Sequence, residues 1–258
     1  MAHPDQPVQF RRFDAPLGRG VVLVQSHEAG LIALAKPAGV LSHPNKRGEE
    51  GRSLLNATYS PTGEYYKWDL GTQTLGRAWL LNRLDSATSG VVLLATDEIL
   101  AAHIRGLFKT KRIRKFYTAL VFGRPIGRRD IWHDRIAVQK AGGQIRATGR
   151  GNIPAEAAMQ LLKSTTTTSP PLSLIQLEPR TGRSHQLRVQ CAQRDLPIVG
   201  DATYGDFRLN RIFAKSTGEK RLFLHSARTS FEFEWAGKRH RFNAEAPIPP
   251  EFVASVEA

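Results

Sequence analysis

Val91-Val92-Leu93-Leu94-Ala95 is an unbroken apolar run entered through Ser86-Ala87-Thr88-Ser89-Gly90, a cluster of turn-forming residues. A short apolar stretch bounded in this way reads as a strand buried in the core. The pattern constrains the fold because similar runs recur along the chain without crossover helices between them. VVLVQ at 21–25 and LIALA at 31–35 flank the turn-like SHEAG and predict a hairpin. FYTALVFG at 116–123 is a further β-rich run. AEAAMQLLKS at 155–164 and LSLIQLEP at 172–179 predict two strands joined at a Thr/Ser/Pro tip, and 221–235 alternates well enough for one or two more. Parallel strands need long crossovers, so this layout predicts an α+β fold: a single domain on a mainly antiparallel mixed sheet with flanking helices, not a doubly wound parallel sheet.

Two helices are expected. Leu100, Ile104, Leu107 and Phe108 recur at helical spacing, with Thr96 or Asp97 placed to cap and a basic far end. In TGRSHQLRVQCAQRDLP at 181–197, Ser184 is placed as N-cap, Leu187 and Cys191 share a face, and Leu196-Pro197 follow the end. Residues 36–53 hold three glycines and two prolines and read as a loop; Lys36 either ends the strand before it or projects into a cleft, and its position alone favours the former. Residues 53–79 carry Tyr59, Tyr65, Tyr66, Trp68 and Trp79, for which core packing is the simpler reading than base stacking. PIPPEF at 247–252 ends any strand before it. The chain of 258 residues divides into an N-terminal arm, 1–18, and one domain, 19–258.

Composition then limits the partners. The net charge of +14 calls for an anionic partner, and nucleic acid is the leading candidate because the charge is clustered. Between Glu98 and Asp130 no carboxylate interrupts Arg105, Lys109, Lys111, Arg112, Arg114, Lys115, Arg124, Arg128 and Arg129, a strip suited to phosphates. No apolar run approaches the roughly 20 residues of a membrane span, the start lacks a secretory pattern, and Cys191 is the single cysteine. These features predict a cytoplasmic protein with no membrane partner; a monomer is expected.

The chemistry centres on the turn before the apolar run, LLNRLDSATSG at 80–90. Taken alone, Arg83 and Asp85 read as a loop ion pair. A carboxylate at the mouth of a buried strand is another matter, because burial favours the neutral acid while a neighbouring arginine favours and orients the anion. Such a group is competent as nucleophile or base. A dehalogenase-type aspartate wants a second acid two residues on, where Ala87 stands; a glycoside hydrolase wants a second carboxylate, and none is evident. No nucleophile elbow, P-loop or H-E-x-x-H occurs, and the eight histidines and one cysteine show no metal-ligand spacing, so no metal is expected.

LLNRLDSATSGVVLLA at 80–95 resembles the H-R-L-D-x-x-T-S-G motif of the RluA-type RNA pseudouridine synthases, which exchange the nitrogen–carbon glycosidic bond of uridine for a carbon–carbon bond. ALAKPAGVLSHP is similar to that family's K-P-x-G segment, RKFYTALVFG to K-x-Y-x-A-x-V-x-G, and EPRTGRSHQLRVQ to T-G-R-x-H-Q-I-R; LPIVGDATYG and LFLHSARTSF follow in order. The resemblance spans about residues 20 to 252. It implies that Asp85 is the catalytic aspartate, Arg188 its basic partner, and Tyr117 the aromatic against the target base. Arg83 would displace and replace the flipped uridine, Leu187 would wall the pocket, and Asn82, Lys36 and His185 join them as substrate-binding candidates. Flipping costs a few kcal/mol, which an inserted arginine and an aromatic face offset.

Two positions depart from the pattern. Asn82 stands where the family usually has histidine, and Gln190 where histidine often ends the later motif. The family's frequent N-terminal S4 domain is not expected, since the K-P-x-G segment begins at Lys36. The implied reaction is isomerisation of specific uridines in ribosomal or transfer RNA without a cofactor, because oxidation state balances within one nucleotide. Asp85 would act at C1′, at base C6 or on the C2′ proton. A non-catalytic RNA-binding or ribosome-assembly factor would predict substitution at Asp85, Tyr117 or Arg188, all of which are intact; a nucleoside glycosidase would release free uracil. Tyr204 reads as a core residue under a turn at least as readily as an RNA contact.

Overall fold

The computed structural model describes residues 13–71, 74–141, 144–165 and 167–257. Residues 1–12 of the N-terminal arm therefore lie outside the described residues. The rest of the arm is tied down: Phe13 packs edge-on to Trp68, Leu17 bridges to Leu55, and Gly18 N–H donates to the Leu54 carbonyl.

The chain opens with β1 (Val22–Ser26) and β2 (Leu31–Lys36), the foreseen antiparallel hairpin. A 3-10 turn at Glu50–Arg52 leads to β3 (Thr58–Ser60), β4 (Tyr65–Asp69) and β5 (Leu75–Leu80), a meander that places the aromatic-rich segment against the core, with Tyr66 fully buried. β6 (Ser89–Ala95) is the apolar run, and all seven of its residues are buried. α1 (Glu98–Lys109) and β7 (Arg114–Phe122) follow. Asp97, not Thr96, caps α1, its carboxylate accepting from Leu100 N–H at 2.8 Å.

β8 (Arg129–Ala141) and β9 (Gln144–Ser164) form a long ribbon, β10 (Leu172–Pro179) pairs with β9 as the hairpin reading expected, and α2 (Gln186–Ala192) comes next. α3 (Phe207–Thr217), β11 (Leu224–Trp235), β12 (Lys238–Glu245) and α4 (Pro250–Ala254) complete the chain. Residues 221–235 yield one strand. β8, the first half of β9 (144–154) and α3 have no counterpart in the sequence reading. Ser184 is not the N-cap of α2: His185 holds that position in the left-handed region (φ 55°) without a side-chain cap. The turn before it is shaped instead by Gln186, whose side-chain Oε1 accepts from Thr181 Oγ1 (2.7 Å) and Arg183 N–H (3.1 Å).

The strand order is β3-β4-β5-β6-β11-β7-β10-β9-β8, with β2 on β6, β1 on β2 and β12 on β11. Every pairing is antiparallel except β6 with β11, which are parallel at Ser89/His225 and Gly90/Ser226. The sheet is thus mixed and mainly antiparallel, with few helices. β6 is central: β2 pairs along its length, β5 meets its far end and β11 its near end. Each fully buried Val or Leu there contributes about 1.5–3 kcal/mol. Where β6 meets β11, Gly90 has φ +114°, and an added Cβ would sit 2.2 Å from the Ser226 carbonyl oxygen, so only glycine allows this approach. That junction brings the turn before β6 beside β7 and, beyond it, α2. No described helix is long and apolar enough to cross a membrane.

Candidate active site

The turn before β6 opens into a cleft of about 2060 Å³, the floor of which carries Asp85, Tyr117, His185, Leu187 and Arg188. The turn is held from several sides. Thr88 N–H donates to the Asp85 carbonyl at 3.0 Å, and Gly39 N–H to that of Ser86 at 2.7 Å. Buried Ser42 takes both backbone groups of Leu84, accepting from its N–H (2.9 Å) and donating to its carbonyl (2.8 Å). The backbone on either side of Asp85 is therefore anchored before any substrate arrives.

Lys36 belongs to this anchoring and not to the cleft surface. It is 1% exposed, and its ammonium donates to the carbonyls of Pro37 (3.1 Å), Val40 (2.7 Å) and Ser86 (3.0 Å). The expectation of a substrate contact is corrected accordingly: β2 delivers the side chain behind the turn. Burial pulls its pKa down to about 7, with the Asp85 charge acting in the opposite sense. Three carbonyls match the three N–H bonds of the ammonium form.

The Asp85 carboxylate is 35% exposed and faces Arg188, whose Nη1 donates to Oδ2 at 3.3 Å. The other edge of the same guanidinium grips Asp201 in a bidentate pair, Nε to Oδ2 at 2.8 Å and Nη2 to Oδ1 at 2.7 Å. Asp201 is 1% exposed and also accepts from the N–H groups of Thr203 and Tyr204. Burial alone would raise its pKa, but Arg188 and the two backbone donors hold it below the usual carboxylate range. Burial likewise works against the charge on Arg188, and the two aspartates reverse that effect. Asp201 thus fixes Arg188, which stacks over the Tyr204 ring at 5.0 Å and presents its remaining nitrogen to Asp85.

Tyr117, on β7, lies beside them, opposite Ser226 of β11; burial pushes its pKa up to about 12, so it stays neutral. Leu187 is buried at the cleft wall. His185 Nε2 stands 3.6 Å from Asp85 Oδ2, while its Nδ1 meets the Tyr204 hydroxyl at 2.7 Å. Burial holds His185 below its usual pKa. Arg83 does not pair with Asp85: it is 61% exposed at the rim, 3.7 Å from Glu64, which also meets Arg105 at 3.4 Å.

The two departures from the motif have structural work. Asn82 Oδ1 accepts from Leu93 N–H at 2.7 Å, next to the Leu81 N–H to Leu93 carbonyl bond, and so extends the pairing onto β6 while still lining the cleft. Gln190 is fully buried, donates to Asp134 (2.7 Å) and the Ala155 carbonyl (3.3 Å), and accepts from Gln186 (3.1 Å). It fastens α2 to the β8–β9 ribbon. The sequence reading missed Asp201 and the bonds of Tyr204, although an aspartate inside the mostly apolar Leu196-Pro197-Ile198-Val199-Gly200 neighbourhood was the signal available. Of the basic strip, Arg105, Lys109, Lys111, Arg114 and Lys115 line the cleft; Arg112, Arg124, Arg128 and Arg129 do not. Arg146, Arg180, Arg183, Lys220 and Arg221 extend the positive rim from other elements.

The chain matches known proteins over these same elements. The sequence model of the family described as RNA pseudouridylate synthase matches residues 30–193. A tRNA pseudouridine synthase C of Pasteurella multocida is 32% identical over 211 residues, covering 78% of this chain and 82% of that protein. A ribosomal large subunit pseudouridine synthase C of Vibrio parahaemolyticus is 32% identical over 202 residues, covering 78% of this chain and 58% of that one. The human protein RNA pseudouridylate synthase domain containing 4 shares the fold, with a TM-score of 0.65 at 24% identity over 91% of both chains.

Proposed function

The chain belongs to the RNA pseudouridylate synthase family, whose members isomerise uridine to pseudouridine in RNA, and from that premise we propose that Asp85 is the catalytic aspartate, acting on a uridine of transfer or ribosomal RNA turned out of its stack into the cleft. One observation carries this reading: a carboxylate on the cleft floor, paired by one arginine nitrogen while a second, buried aspartate holds the rest of that arginine. The carboxylate is aimed by Arg188, yet is open to a ligand.

The other roles follow from position. Arg83, at the rim and held among the described residues only by exposed Glu64, enters the RNA where the uridine leaves. Tyr117 packs against the base with a neutral ring and Leu187 closes the wall, an aromatic and apolar lining suited to a stacked base. Asn82 holds the strand and borders the substrate; His185 sits beside the reacting carboxylate. Lys36 supports the turn from behind. The exposed cations of the rim take the phosphates.

In the reaction the N1–C1′ bond breaks, the base turns, a C5–C1′ bond forms, C5 loses its proton and N1 gains one. Attack at C1′, addition at C6 and removal of the C2′ proton all begin at the Asp85 carboxylate. No electrons leave the nucleotide, so the reading includes no cofactor. It also takes residues 19–258 as one catalytic domain of a monomeric, cytoplasmic protein without a membrane partner. The test is release of tritium from RNA labelled at uridine C5, combined with mapping of pseudouridines in ribosomal and transfer RNA with and without the gene. A site lost on deletion and restored by the wild type but not by Asp85→Asn supports the reading; no release from any RNA that binds would overturn it.

A further inference from the structure

The hydrogen bonds around Tyr204 assign a proton. Its hydroxyl accepts from the backbone N–H of Ala147, on β9, at 2.8 Å. A backbone N–H is a donor only, so the hydroxyl's own hydrogen is left to another acceptor, and among the described residues the other partner within reach is His185 Nδ1 at 2.7 Å. The arrangement that uses this hydrogen inside the site has Nδ1 accept it, which places the ring hydrogen of a neutral imidazole on Nε2. Nε2 faces Oδ2 of Asp85 at 3.6 Å. The charged and titratable groups around the ring are Asp85, Arg188, Asp201 and Tyr204, and burial outweighs the two carboxylates in keeping it neutral.

Arg188 Nη1 points at the same oxygen, Oδ2, at 3.3 Å. Oδ1 of Asp85 accepts no hydrogen bond among the described residues. The two oxygens of the carboxylate are therefore unequal in this site. We propose that His185 is a positioning residue, a neutral Nε2–H donor that joins Arg188 in holding Oδ2 of Asp85, with its tautomer set by Tyr204 and Ala147, so that Oδ1 is the oxygen that reacts. The 3.6 Å separation closes to hydrogen-bond length when substrate fills the cleft and excludes water, as catalytic hydrogen bonds do. The ribbon thereby helps set the protonation of a group beside the catalytic carboxylate through a single tyrosine.

The inference rests on Asp85 being catalytic, but its first test does not need activity. Nitrogen-15 NMR of the full-length protein at pH 7 distinguishes the two neutral tautomers and the imidazolium, with His185→Gln identifying the resonance. The Nε2–H tautomer is expected for His185, shifting toward a mixture in Tyr204→Phe, which keeps the ring and removes the hydroxyl. An Nδ1–H tautomer or an imidazolium in the wild type would overturn the proposal, whatever the enzyme does.

Kinetics then separates positioning from packing. His185→Asn suits the left-handed backbone but puts its amide nitrogen where Nδ1 stood, whereas His185→Gln reaches the Nε2 position. His185→Asn should lower kcat by about 10-fold to 100-fold with KM nearly unchanged, the range for a lost hydrogen bond to a charged group, and His185→Gln should recover most of it. Wild-type kcat in His185→Asn, or equal losses in both variants, would reject the role. A wild type that binds RNA, shows the Nε2–H tautomer and releases no tritium would instead reject the proposed function.

Discussion

The floor of the cleft and its rim use the same residue types for opposite purposes. On the floor, Arg188 has 8% of its side chain exposed and spends its donors on Asp201 and Asp85. On the rim, Arg83 is 61% exposed with one distant acid, and exposed Lys109 and Lys111 have no ion pair among the described residues. A buried charge must be paired or it destabilises the fold, whereas an exposed one gains little from an intramolecular partner and is available to a phosphate. The floor is thus finished by folding, whereas the rim keeps its charges for a ligand, which the proposed function makes RNA.

The comparison is most exposed to failure at Asp85. Asp85→Asn should cut turnover by about 10,000-fold or more in tritium release while leaving the RNA dissociation constant within a few-fold, since the rim supplies the affinity. A parallel loss of binding would mean that floor and rim are not separable. Asp201→Asn should destabilise the protein by about 3–5 kcal/mol in denaturant unfolding, because it leaves the buried Arg188 charge poorly paired. A change under 1 kcal/mol would show that the floor pair is more hydrated than its burial implies.

Acid sharpens the same contrast at His225, which is buried under the cleft between Ser89 (2.8 Å) and the Ala246 carbonyl (3.2 Å). Burial holds its pKa down to about 4, against 6.5 for the ordinary group. The unfolded chain therefore binds a proton between those values that the native state refuses. The stabilisation is full above about pH 6.5 and falls as pH drops toward 4, by about 3 kcal/mol in all. His225→Asn should flatten that part of the stability–pH curve measured by urea unfolding. Least costly are Lys109→Ala and Lys111→Ala: each should leave stability within about 0.5 kcal/mol and reduce the slope of log affinity against log salt by about 1. An unchanged slope would move the RNA path off this side of the rim.

The contrast extends to what could be read in advance. α1 was legible because its cap, its apolar spacing and its end all lie within one short window. β8 was not, although Trp132, Asp134 and Ile136 share one face, because the middle position is an aspartate. Trp132 and Ile136 are buried, and Asp134 is half-buried only because Arg194 and Gln190 reach it from α2 and just beyond. A period-2 pattern with a charge at its inward position does not look like a strand. α3 had readable ends, Asp206 as cap and Gly218 after the last turn, but only Phe213 of its residues is buried, so no apolar period announced it.

The sequence by itself determined the buried strand, the turn that carries Asp85 and the capped helix α1, since these depend on local propensity and on spacing within a few residues. Tertiary structure decided the partners. Asp85 meets Arg188 across 103 positions, Arg83 turns to Glu64, and Lys36 disappears behind the turn. Those outcomes depend on which charges the sheet removes from water, and desolvation is set by the order of β6, β11, β7 and the helix beyond them, which no short stretch of sequence contains.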